Sequence, residues 1–189
     1  MSFIKSLGKN AMLSDVFRHN WKKAGYLIGM AEEICLGQSE LSRAELEVLE
    51  AYCSKLNECQ YCYQLHNEVA QVYGEEGGLV AALFDDIDTA PTNDKMKALA
   101  HYLKGLTLEP HKITQTAVNS VLVSGCSEKA LVDVIYLCGL SAMLNRLVFG
   151  FGIEGEGSQF TQVAQGVKDT GYRKMYEDMG LNVPKFTEA

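Results

Sequence analysis

Two thiols, an imidazole and a carboxylate are spaced along Glu47…Cys59-Gln60-Tyr61-Cys62-Tyr63-Gln64-Leu65-His66 in a way that one helical hairpin can bring together. Thiols three residues apart can close and reopen a disulfide. An imidazole can move their protons, and a carboxylate can hold the imidazole in one orientation. The nucleophile is the thiolate, and a free cysteine ionises only near pKa 8.5, so such a site must favour the charge. The first turn of a helix does so through its unpaired N–H groups and partial positive charge. That effect favours Cys59 as the more acidic thiol, whereas adjacency to His66 favours Cys62. A CxxC with one histidine also supplies three of the four ligands of a zinc site, but no second CxxC or paired histidine offers the fourth. Glu47 has a plainer reading as a solvated charge, since Glu45 and Glu50 share its helix.

The elements that must position these groups read as helices. Ser42-Arg43-Ala44-Glu45 has capping-box form, so a helix starts near Arg43 with Leu46, Leu49, Cys53 and Leu56 on its apolar face. Asn57-Glu58 reads as a turn, and the next helix covers 59–73. At about 100° per residue, Cys59, Cys62 and His66 fall within roughly an 80° arc. Counted outward from the turn at 1.5 Å per residue, Glu47 and His66 lie about 15 and 13.5 Å along antiparallel helices, at one level. Further helices are expected over 13–35, 79–87, 93–106, 114–123, 128–149 and 160–179, with glycines at 150, 152, 155 and 157 before the last. The chain therefore reads as an all-α bundle of about eight helices. It forms a single domain over 1–189, with a core over about 13–154 and a C-terminal helical arm over 155–189.

Composition supports a packed core: 47% of residues are hydrophobic, and only three of the 189 are prolines. A net charge of −7 without a basic stripe excludes a nucleic-acid surface. The longest uncharged apolar run, 134–144, is shorter than the roughly 20 residues a bilayer requires, and the first residues carry no export signal, so a cytoplasmic protein without a membrane role is expected. Six cysteines in that setting suggest free thiols plus one special pair, with Cys35, Cys53, Cys126 and Cys138 as small buried hydrophobes. Trp21, at helical spacing, reads as core, and His19 as a neighbour that could line a pocket. His101 and His111 read as surface residues. Tyr61 and Tyr63 read as walls of the site or as packing, and Tyr136, Met143 and Phe149 as core or interface. Asn145-Arg146 interrupts an apolar helix, and a buried arginine there would need an ion-pair partner within the fold or across an oligomer interface.

The pattern Glu47-x11-Cys59-x2-Cys62-x3-His66, with 41–47 and 56–62 around it, resembles the active-site spacing of the alkylhydroperoxidase D (AhpD-like) family of the carboxymuconolactone decarboxylase superfamily. Residues 125–134 and Leu144-Asn145-Arg146 are similar to later helices of its peroxidase-related subgroup, and the likeness spans about 13–154. The resemblance implies a helical fold assembled as a homo-oligomer (dimer, trimer or hexamer). It also implies reduction of hydroperoxides with no metal, haem or other cofactor. It makes Cys62 the peroxidatic thiol, Cys59 the resolving thiol, and His66 with Glu47 the proton relay. An external dithiol, such as a lipoylated carrier protein, would reduce the resulting disulfide. A thiol–disulfide oxidoreductase or redox sensor without peroxidase turnover is the neighbouring alternative, and a zinc-holding assembly protein a more distant one. Lactone decarboxylation gives a CxxC no purpose.

Overall fold

The helix starts follow their sequence signals. In this computed structural model, which describes residues 2–8, 10–155 and 157–184, the Ser42 hydroxyl accepts from the Glu45 N–H (3.2 Å). The Glu45 carboxylate accepts from the Ser42 N–H (2.8 Å), and this closed box opens α3 (Arg43–Leu56). Asn93, Thr114 and Ser127 likewise cap α6 (Asp94–Leu108), α7 (Gln115–Val123) and α8 (Glu128–Phe151). The other helices are α1 (Leu13–His19), α2 (Trp21–Ala31), α4 (Gln60–Val72), α5 (Leu79–Asp85) and α9 (Gly157–Asp178). Among the described residues these nine helices and a few short turns account for all regular structure, and there is no strand.

The position of α3 decides the rest. It packs against α4, α5, α6 and α8, and residues 46–54 are buried without a break. The four-residue face expected for an amphipathic helix is therefore too narrow, because neighbours surround this helix. One apolar cluster lies on its α6 side (Leu49, Tyr52, Leu83, Leu99, Leu103, Leu137). A second lies on the side of α1, α2 and α9 (Phe17, Ile28, Val69, Phe160, Val167), and α8 supplies side chains to both.

Three expectations are corrected. The helix foreseen over 13–35 divides at Asn20, whose backbone leaves the helical region (φ −140°, ψ 62°) and serves as last residue of one helix and first of the next. The second half then widens into a π-helical turn, Glu32–Leu36, that carries Cys35 inward. This turn ends at Gly37, where a β-carbon would stand 2.2 Å from the Glu33 carbonyl oxygen. Trp21 is 44% exposed rather than core, because the break at Asn20 turns it outward. The last helix is not an appended arm: it lies along α4 and α2 and buries Phe160, Ala164, Val167, Tyr172, Met175 and Tyr176. Its apolar spacing needs a partner surface, and α4 provides one, with Tyr61 meeting Phe160 edge to face at 5.1 Å.

Within α9 the helix is interrupted at Gly171 (φ 80°, ψ 171°), and the Arg173 N–H of the new segment donates to Glu32 (3.0 Å). A β-carbon at 171 would meet the Glu32 carboxylate at 2.7 Å in a backbone conformation that favours glycine. Gly171→Ala is therefore expected to lower stability by about 1–3 kcal/mol. Urea unfolding measures this, and an unchanged midpoint would show that the break does not depend on glycine.

Candidate active site

The hairpin joining α3 to α4 is short and strained. Asn57 ends α3, and Glu58 takes the left-handed conformation (φ 60°), alone among described non-glycine residues. Cys59 then stands at the cap of α4, its N–H donating to the Ser54 carbonyl (2.9 Å) and its own carbonyl accepting from the Tyr63 N–H (2.9 Å). With the helices antiparallel across this turn, Glu47 and His66 meet as their counted heights require. Glu47 Oε2 lies 2.7 Å from His66 Nδ1, and both residues are buried.

Both sulfurs of the CxxC are free thiols and both are buried. They lie close enough to act on each other's protonation: the neighbouring Cys62 thiol lowers the Cys59 pKa to about 7 against the opposing effect of burial. Backbone N–H groups of Tyr61 and Cys62 and the charge of His66 act in the same direction. Cys62 is pushed well above its usual value by the neighbouring Cys59 thiol, by burial and by the Cys59 charge. As pH rises through about 7 the pair thus gives up one proton and keeps one, with the charge on the sulfur at the helix terminus. The Asn145 amide, buried on α8, donates to Ser54 (3.0 Å), accepts from Asn57 (3.0 Å) and favours charge on Cys62.

Around the imidazole the structure adds groups that local sequence did not mark. The Tyr172 hydroxyl, from α9, donates to the second Glu47 oxygen (2.9 Å). Glu50, one turn beyond Glu47, places a carboxyl oxygen 3.6 Å from His66 Nε2. Burial pushes His66 down, but the adjacent Glu47 outweighs it and the net shift is upward. Glu50 is fully buried, and neither of its oxygens has a hydrogen-bond partner. Ser141 lies close enough to ease its charge, without hydrogen-bond geometry. Desolvation raises Glu50 to about 8, with Glu47 adding to the rise and His66 opposing it. The reading of Glu47 as a solvated charge fails for the reason that makes Glu50 notable: α3 has no solvated face there.

The two sulfurs border different spaces. Cys59 lines a surface cleft of about 430 Å³ with Glu58, Gln60, Tyr61, Phe149 and Glu154. Cys62, His66, Cys35 and Tyr172 line an internal, mainly apolar cavity of about 40 Å³ with Phe17 and Leu140. A larger surface cleft of about 650 Å³ beside His101 holds none of these groups.

Of the remaining candidates, Arg146 is exposed and donates to the Ala142 carbonyl of its own helix (2.7 Å), so it forms no ion pair among the described residues. His19 is exposed and lines no part of the site, His111 is exposed, and His101 pairs with Asp88 at the surface (2.8 Å). Tyr61 is buried at the rim of the outer cleft, while Tyr63 stacks beneath Lys55. The other cysteines are buried, and three have polar partners: the Thr107 hydroxyl lies 3.6 Å from Cys53 and 3.5 Å from Cys138, and Cys126 accepts from the Ser124 hydroxyl (3.6 Å) and donates to the Lys95 carbonyl (3.8 Å). Among the described residues no group of three His, Cys, Asp or Glu side chains is placed to hold a metal ion, and both His66 nitrogens face carboxyl groups.

Two crystal structures share this arrangement of helices. An uncharacterized peroxidase-related protein from Silicibacter sp. TM1040 superposes with a TM-score of 0.72 over 79% of this chain and 78% of its own, at 19% identity. The chain has the alkylhydroperoxidase AhpD-like fold. The same holds against the alkylhydroperoxidase AhpD core of an uncharacterized peroxidase-related protein from Ralstonia eutropha JMP134, with a TM-score of 0.71, 14% identity and coverage of 77% and 76%. No protein-family model matches the chain, and no curated protein does.

The buried carboxyl on this AhpD-like frame makes stability depend on pH with a definite sign. Glu50 holds its proton to about pH 8 when folded but only to about 4.5 when unfolded, so its contribution is complete below 4.5 and is lost as pH rises through 8. Between pH 6 and 9 the wild type should therefore weaken relative to Glu50→Gln by on the order of 2–3 kcal/mol. Parallel urea curves for the two proteins across that range would contradict the burial.

Proposed function

We propose that this protein is a thiol-dependent hydroperoxide reductase that cycles through a Cys59–Cys62 disulfide. The observation carrying the reading is a pair of buried free thiols at the start of α4, set beside a buried imidazole–carboxylate couple. The peroxidase-related names of the two proteins of like fold agree with it.

Cys62 is the attacking sulfur because it borders, with His66, an apolar cavity of about 40 Å³ with room for the O–OH end of a hydroperoxide, whose alkyl group is admitted only if the cavity walls move. In the singly ionised pair the charge is on Cys59, so the remaining proton first crosses from Cys62 to Cys59. The Cys62 thiolate then attacks the terminal peroxide oxygen: the S–O bond forms, the O–O bond breaks, and alkoxide leaves. Cys59 next attacks the sulfenic acid, giving the disulfide and water. Glu47, fixed by Tyr172, holds the imidazole in place through both steps. Cys59 borders the surface cleft, so an opening of the cleft floor, where Cys59 is 1% exposed, brings it to an external dithiol that reduces the disulfide, and a lipoylated carrier protein is such a dithiol.

The lowered Cys59 pKa and its position at the cleft also support a second reading, thiol–disulfide exchange without peroxide turnover. The outward face of α8 (Val132, Ile135, Tyr136, Met143, Phe149) is apolar and exposed, which supports self-association into a homo-oligomer. The same helix is long and apolar enough to cross a bilayer, but its other face is packed in the core, which accords with a cytoplasmic protein.

Steady consumption of cumene hydroperoxide with a dithiol reductant tests the proposal. Cys62→Ser should abolish it, and Cys59→Ser should stop turnover while still forming sulfenic acid on exposure to peroxide. The reverse pattern would exchange the roles of the two sulfurs. Disulfide exchange with no peroxide consumption by the wild type would leave the second reading standing instead. The disulfide should be located by peptide mass, because the Cys53–Cys138 pair makes a total thiol count ambiguous.

A further inference from the structure

Proton balance exposes a gap that the cysteine pair cannot fill. The reactive, singly ionised dithiol, with one proton and one charge, must on reaction with ROOH end as a disulfide, ROH and water. The peroxide brings one proton and the pair one, whereas the products carry three. One proton per cycle must therefore come from outside the pair, from solvent or from another group of the protein, and the oxygen that needs it is the departing alkoxide. Glu47 cannot be the source, since its oxygens already accept from Tyr172 and face His66 Nδ1.

We infer that Glu50, a fully buried carboxyl with no hydrogen-bond partner facing His66 Nε2, is the proton store of the cycle and acts through the imidazole. The inference rests on the dithiol cycle proposed above. As alkoxide forms, His66 Nε2–H protonates it and Glu50 passes its proton to the ring. The carboxylate left behind faces no bare cost, because imidazolium at His66 adjoins it. Reduction reloads the store. An external dithiol brings two protons, the regenerated pair keeps one, and the other returns to Glu50.

The surroundings suit a group that must hold a proton at neutral pH and still release it. The groups near enough to act on Glu50 electrostatically are Glu47 and Cys53 on its own helix, Cys62 and His66 on α4, Cys35 in the π-helical turn, Cys138 and Ser141 on α8, and Tyr172 on α9. Only His66 among these can carry positive charge. Every other titratable neighbour is neutral or anionic, which keeps the proton on the carboxyl until the imidazole takes it. A structural role is hard to assign, because the carboxyl makes no bond that a hydrocarbon would forfeit.

Glu50→Gln keeps the shape and removes the exchangeable proton, and Glu50→Asp keeps the proton on a shorter stem. Single-turnover disulfide formation is followed by quenching and peptide mass from pH 6 to 9.5, with circular dichroism confirming the fold. With cumene hydroperoxide, the wild type should show a rate that rises near pH 7 as the pair ionises and falls above about 8 as Glu50 empties. Glu50→Gln should be at least tenfold slower at pH 7, a loss of the size general acids give. It should also lack the falling limb, and Glu50→Asp should recover part of both. A folded Glu50→Gln protein with wild-type rate, or one that is slow but keeps the falling limb, overturns the inference. Diamide separates this from a failure of the peroxidase reading, since it oxidises a dithiol, needs the same extra proton and contains no O–O bond. A wild type inert to peroxide whose diamide oxidation depends on Glu50 as described would sink the peroxidase and leave the proton store. Diamide profiles identical for wild type and Glu50→Gln would sink the store.

Discussion

An ionised carboxylate inside a helical bundle is tolerated only when it is paired. Taking such a group out of water costs several kcal/mol, and the loss is recovered only with near-ideal geometry and all lone pairs engaged. Glu47 meets that condition by engaging one oxygen with His66 and the other with Tyr172. The bonds tie α3, α4 and α9 to one another at a single point. The hairpin angle, the level of the CxxC and the seating of the final helix must all agree for both contacts to exist. Much of the architecture can be understood as the set of constraints that keeps this carboxylate satisfied.

The same interior environment sorts the neighbouring acids and thiols. Glu47 and Glu50 are one helical turn apart on a helix without a wet face, yet they differ completely in partners. One is saturated with donors, and the other has none. The thiols repeat this contrast over a shorter distance. Cys59 receives backbone N–H groups at a helix start, whereas Cys62, one turn deeper, gains charge stabilisation mainly from Asn145. A low-dielectric interior turns small differences in donor count into large differences in protonation.

How far this could be read from the chain depends on the range of the interaction. The Ser42–Glu45 box, the Asn93, Thr114 and Ser127 caps and the meeting of Glu47 with His66 all follow from local spacing, and sequence shows local spacing well. The break at Asn20 was hidden because the apolar period continues through it, and the π-helical turn because its signal, Gly37 against the Glu33 carbonyl, is visible only in three dimensions. Glu50 stands beside Glu47 in the sequence without a mark of its own, since a periodicity argument assigns every helix a solvated side and α3 has none over 46–54. Tyr172 carries no local mark at all; its partner lies on another helix, and the apolar pattern of α9 reveals only that it packs somewhere.

The Tyr172–Glu47 bond also sets an order of events in synthesis. Its two ends are separated by 125 residues, so the hairpin bearing the sulfurs leaves the ribosome long before the hydroxyl that completes the carboxylate's shell. Until the last helix emerges, a nascent chain exposes its thiols without the finished relay behind them. Chemical competence in this molecule is therefore acquired only once α9 has been made and packs over a hairpin laid down well before it.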